Sequence, residues 1–101
     1  MTTSVLTLHT LSPETLDYMS NGYNWKLRED VAQYEGTPKE ILLRLAKDPI
    51  WLVRYRVTLN KNTSVESLII LLKDEIKLIR QAAFKNPNLP VEYKMLYLME
   101  N

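Results

Sequence analysis

The chain has 101 residues, of which 46% are hydrophobic and 25% charged, with a formal net charge of +1. That length predicts one domain, able to bury about 65% of the surface its unfolded chain exposes, and the balance is that of an ordinary globular protein. Cysteine is absent, which excludes disulfides, thiolate catalysis and cysteine-ligated clusters.

Charge is unevenly spread. Residues 1–36 carry two basic against five acidic side chains, and residues 37–62 carry six against two. A groove that tracks phosphate needs basic residues along its whole length, and this chain is acidic at one end. The longest unbroken apolar run, Leu68 to Leu72, is far too short to cross a bilayer. The N-terminus lacks the basic and apolar regions of a secretory signal. Together these predict a cytoplasmic protein with no membrane partner.

Residues 1–10 are expected to form an N-terminal arm or cap. Val5, Leu6 and Leu8 among threonines suit a short strand, a cover for the first helix, or disorder. His9 is the only histidine, so a metal site built on histidine is not expected. A first helix opens at Ser12-Pro13-Glu14, with serine as N-cap and proline in the tolerant first turn. Leu16 and Met19 point inward, and Asn21-Gly22 ends the helix, glycine supplying a left-handed residue. A second helix is predicted from about Tyr23 to Tyr34, burying Leu27, Val31 and Ala32.

Thr37-Pro38-Lys39-Glu40 has capping-box spacing, with proline at the first helical position. Ile41, Leu42, Leu45 and Ala46 follow at the spacing of one helix face. Asp48 is then expected to cap a further helix beginning at Pro49, with Leu52 or Val53, and Val57, inside. Asn60-Lys61-Asn62 makes the exit turn. Thr63-Ser64-Val65-Glu66 repeats the capping-box spacing, and Leu68, Leu71 and Leu72 repeat the inward face. Ile76, Ile79 and Ala83 mark another helix, which the prolines of Asn86-Pro87-Asn88-Leu89-Pro90 terminate. A last helix, about Val91 to Met99, is expected to cover the final exposed face with Leu96 and Met99.

These elements recur. Glu14, Glu40, Glu66 and Glu92 lie 26 residues apart, as do Arg28, Arg54 and Arg80. Leu16, Leu42 and Leu68 keep the same step, and so do Leu27, Val53 and Ile79. A fixed period of this length is the signature of stacked repeats. The layout is therefore a single α-solenoid domain over 11–101, with repeats 11–36, 37–62 and 63–88 and a capping helix over 89–101.

Two features carry a family resemblance over roughly residues 11–96. Asp48 and Asp74 each stand six positions before an arginine, Arg54 and Arg80, preceded directly by Val53 or Ile79. This resembles the second helix of HEAT repeats. The segments VRYRVTLNKNTS and IRQAAFKNPNLP look closer still to leucine-rich repeat variant proteins. The resemblance implies an all-α fold, a short right-handed α–α superhelix of about three and a half helical hairpins. It implies that Asp48, Arg54, Asp74 and Arg80 pair between neighbouring repeats as a structural ladder, with Gly22 in the aspartate slot of the first. The iron–sulfur cluster associated with a leucine-rich repeat variant protein cannot be carried over without cysteines. Such folds are built for stacking and say little about function.

No catalytic constellation stands out, and no cofactor is expected. The only glycines, Gly22 and Gly36, make no phosphate loop, and one histidine supports neither a triad nor a metal cluster. The recurring glutamates are explained by the helix dipole, which favours acids in a first turn. HEAT-like DNA glycosylases place an acid in a basic, aromatic-lined groove, but the acidic first repeat speaks against that activity here. The aromatic residues are more informative. Trp25 and Trp51 share one register position, with Lys77 in the third slot and Tyr23 and Tyr55 close by. They either form a recognition stripe for a protein or peptide partner or pack between repeats as large apolar groups. The expected function is thus a non-catalytic adaptor binding through the exposed face of its second helices. The alternatives are a nucleic-acid-binding module, using Lys26, Arg56, Lys61, Lys77 and Lys85 with bases stacked on the tryptophans, or a self-associating homo-oligomer.

Overall fold

The computed structural model describes residues 11–100. Seven α-helices make up the fold there, with no strand among the described residues. They are α1 (Pro13–Ser20), α2 (Trp25–Gln33), α3 (Lys39–Leu45), α4 (Trp51–Leu59), α5 (Val65–Leu71), α6 (Lys77–Lys85) and α7 (Val91–Glu100). The expected arm at 1–10, with His9, lies outside the described residues. No described helix is long and apolar enough to cross a membrane.

The helices pack in two rows. α1, α3 and α5 lie one beside the next, as do α2, α4 and α6, and consecutive helices bridge the rows. The outcome is an elongated body of 47 × 24 × 22 Å. Leu16, Val31, Leu42, Leu45, Val53, Val57, Leu68, Leu71 and Ile79 fill the seam between rows and are fully or almost fully buried. Burying an aliphatic side chain of this size contributes about 1.5–3 kcal/mol. Short helices of seven to ten residues are marginal alone, so this shared seam is what holds them.

Local chemistry sets the ends. The Ser12 hydroxyl accepts from the Thr15 amide (3.1 Å), and the Ser64 hydroxyl from the Ser67 amide (3.2 Å). Both are N-caps relieving an orphan amide. Ser64, and not Thr63, is therefore the cap of α5. Thr63 and its counterpart Thr37 are buried and turned backward, donating to the carbonyls of Val57 and Val31 (2.6 Å each). The expected capping box at Thr37 is not formed; Pro38 is the N-cap of α3, without a side-chain bond. Asp48 is likewise not the cap of α4. Its Oδ1 accepts from the Ile50 amide (2.9 Å), and the helix begins at Trp51 instead of Pro49. An aspartate bonding two residues ahead makes a turn in place of a helix start.

Other expectations are also corrected. α2 begins at Trp25, two residues late, because Asn24 accepts from the Lys26 amide (3.0 Å) and caps there. Leu27 is 38% exposed, unlike Val53 and Ile79 in the same register. No described residue has positive φ, so α1 ends at Asn21 without a left-handed glycine. Leu96 and Met99 do not cover the last face, being 52% and 80% exposed. α7 buries no residue; it leans on the core through Tyr97, whose ring meets Phe84 at 5.6 Å.

Two sets of polar links tie successive parts of the chain together. In the first, Arg28 grips Asp48 through Nε and Nη2 (2.7 and 3.1 Å), and Arg54 grips Asp74 the same way (2.7 and 3.3 Å). These forks are largely buried, with side-chain exposures of 13% and 5% for the first pair. The Asp48 hydrogen bond pushes the Arg28 pKa up. In the second set, the buried Asn60 amide donates to the carbonyls of Ala32 and Tyr34 (2.8 and 2.9 Å). Asn86 donates likewise to Thr58 and Asn60 (2.8 and 3.4 Å). The turn at 34–36 carries Tyr and Gly where the later turns carry two asparagines. A Cβ on Gly36 would stand 2.6 Å from the Tyr34 ring, so glycine makes room for the aromatic. Among the described residues, no buried side-chain nitrogen or oxygen lacks a partner.

Candidate partner-binding face

Trp25, Trp51 and Lys77 are each the first residue of a second-row helix, α2, α4 and α6. The shared register thus becomes a shared position at one end of neighbouring helices, but the three environments differ. Trp51 is 45% exposed, and its ring lies 6.4 Å from that of Tyr55, one turn on, tilted by 54°. Tyr55 is half-buried against the core. Trp25 is also half-buried, with the Lys26 ammonium 5.7 Å from its ring centroid. Tyr23 is fully exposed on the turn before α2, and Lys77 is exposed. The structure therefore brings Trp51 and Tyr55 into contact, and no ring contact joins either to Trp25 or Tyr23 among the described residues.

Continuing along α4 adds a residue that sequence reasoning passed over. Trp51, Tyr55 and Leu59 are spaced four apart and so share a helix face, and Leu59 is 52% exposed. Across the groove between α4 and α6, Leu78 is exposed as well. Tyr55, Leu59 and Leu78 line a shallow cleft of about 270 Å³ that Lys85 and Pro87 border. The four-residue spacing was visible in the sequence. What hid Leu59 was that leucine reads as core unless the buried stripe of its helix is already fixed.

The basic residues expected to contact nucleic acid differ in their environments. Arg56 donates through Nε to Glu29 (2.8 Å) and is half-buried, so its charge is already engaged within the fold. Lys26 sits over Trp25, while Lys61 and Lys85 are exposed in a turn and at the end of α6. Glu14, Glu40, Glu66 and Glu92 lie in the first turns of α1, α3, α5 and α7. No group of three His, Cys, Asp or Glu able to hold a metal occurs among the described residues.

No family model, curated protein or solved structure matches this chain.

Proposed function

We propose that the protein is a non-catalytic adaptor that binds a peptide segment of a partner protein along α4. The observation that carries this is the apolar stripe of exposed Trp51, half-buried Tyr55 and exposed Leu59, with Leu78 across a cleft from Tyr55 and Leu59. Large apolar side chains held outside the core by a rigid helix are the anchors of helix-groove recognition, and Trp and Tyr lead among them. Trp25 and Lys77 occupy the matching first position of the neighbouring helices, and Tyr23 is exposed on the turn before Trp25. The scaffold behind it is, in this reading, a short right-handed solenoid of HEAT-like or leucine-rich repeat variant type. Support comes from the 26-residue step of the polar links and the two-row packing. A phosphate-tracking surface fits less well, since Arg56 is engaged by Glu29.

The test compares the intact protein with Trp51→Ala and Leu59→Ser in affinity capture from the native source, with and without nuclease. Both variants should melt within about 1 kcal/mol of the parent, as surface changes do, and both should lose the captured partner. Capture that survives both changes, or that disappears on nuclease treatment, would overturn the reading.

A further inference from the structure

Arg28, Arg54 and Arg80 share one register and one use of Nη1, which donates to the carbonyl six residues earlier at 2.7, 2.8 and 2.8 Å. Because that acceptor is backbone, Gly22 serves as well as Asp48 or Asp74. The difference lies at the other edge of the guanidinium. Nε and Nη2 of Arg28 and Arg54 each clasp an aspartate. No described carboxylate forms an ion pair with Arg80. Its side chain instead lines a cavity of about 550 Å³ between α5, α6 and α7. Glu100 follows Asp74 by the same 26 residues and also lines this cavity, yet does not pair with Arg80. α3 and α5 stop three residues before their aspartates, leaving them on a turn, whereas α7 remains helical through Glu100. The helix holds Glu100 off the position that Asp48 and Asp74 reach.

We propose that this cavity docks an acidic peptide segment of a partner protein, of the form Asp-X-Ile, with its carboxylate on Nε and Nη2 of Arg80. The two filled forks specify the chemistry. In each, one carboxylate oxygen also accepts from the amide two residues on, Ile50 (2.9 Å) or Ile76 (3.0 Å), so the acid is presented by its own turn. Ile50 and Ile76 then pack on the core. In the cavity the corresponding apolar contact is offered by Leu72, Leu96 and Tyr97. Charge agrees: Asp74 is already neutralised by Arg54, and among the described residues lining the cavity Glu100 is the one further acid facing Arg80 and Lys73. A second copy of this chain is the poorer occupant, because the residue its first unit brings to the slot is Gly22, which has no carboxylate. The site is separate from the α4 stripe and does not rest on it.

The probe is an acetylated, amidated peptide with the sequence of residues 47–57, which contains Asp-Pro-Ile, titrated into the isotope-labelled full chain and followed by NMR. Saturable binding is expected, with shifts confined to α5, α6 and α7. The same peptide with asparagine for aspartate should bind about tenfold or more weakly, the cost of losing a charge-assisted bond. Arg80→Gln should weaken the aspartate peptide to the level of the asparagine one, while Glu100→Gln should tighten it. Since Arg80 also holds two backbone carbonyls, the peptide comparison on the unaltered protein decides the matter if Arg80→Gln unfolds. Absence of saturable binding, equal affinity for the two peptides, or shifts centred on Trp51 would each overturn the proposal. So would self-association of the chain that Arg80→Gln abolishes, which would make a second copy the occupant. Failure here leaves the α4 reading intact, because Trp51→Ala is not expected to alter this titration.

Discussion

Removing the Arg54 side chain would strand Asp74, a carboxylate only 7% exposed in its side chain, without its fork. Breaking a buried pair on one side costs about 3–5 kcal/mol, because the remaining charge stays desolvated. Arg56 and Glu29 are wetter, at 33% and 13%, and such a pair contributes about 1 kcal/mol or less. Denaturant melts of Arg54→Ala and Arg56→Ala should therefore differ by several-fold in lost stability, and equal losses would refute the role given to the fork. Asp30 supplies a second test at this scale. Burial first, then the neighbouring Glu29 charge, raise its carboxyl pKa, with Lys26 opposing. A carboxyl whose pKa is raised in the folded state binds its proton more tightly there than when unfolded, so its ionisation opposes folding. Its contribution falls as pH rises through the carboxylate range. Asp30→Asn should accordingly raise the melting temperature near neutral pH, with the gain vanishing at about pH 3, where both forms are neutral. A gain that persists in acid would implicate something other than charge.

At the scale of the helix, the seam between rows is the structural commitment. Leu71 is fully buried at the end of α5, one register step from Leu45. Leu71→Ala should cost about 2–5 kcal/mol, the range for a large core residue that leaves a cavity. A thermal melt showing a loss below about 0.5 kcal/mol, the scale of a surface change, would mean that the register is wrong. This seam was legible in the sequence, because aliphatic residues at three-and-four spacing mark the buried face of a helix. Helix starts were less so. Thr37 and Thr63 sit where a capping box would place them, yet their hydroxyls serve carbonyls of the preceding helix, a demand set by a neighbour that no local pattern displays. Leu27 misled in the opposite sense: its register matches Val53 and Ile79, but it is exposed where they are buried. Of the candidate face, spacing singled out Trp51 and Tyr55 but left open whether they are exposed or packed. Leu59 and Leu78 needed the packing of α4 against α6 before they could be recognised as exposed.

For the whole molecule, α1 to α6 each pack chiefly on helices one or two places along the chain. Stability is expected to decline toward the two ends of this packing, where a helix has neighbours on one side only. Amide exchange should be slowest in α3 and α4 and fastest in α7, which buries no residue. Exchange in α7 as slow as in α4 would show that the end helix is held by more than the contacts of Tyr97 and Lys94 with Phe84.

The asparagine links have a direction, and that direction bears on synthesis. Asn60 reaches back to Ala32 and Tyr34, Asn62 to Thr37, Asn86 to Thr58, and Asn88 to Lys61 and Thr63, so the donor always comes later in the chain than the acceptor. A nascent chain grows from its N-terminus at about 5–20 residues per second. Each turn therefore leaves the ribosome before the asparagine that will bond its carbonyls has been made, and is closed about a second or more later when that asparagine emerges. Maturation is expected to run as a chain of deferred closures, each turn being completed by a residue made after it.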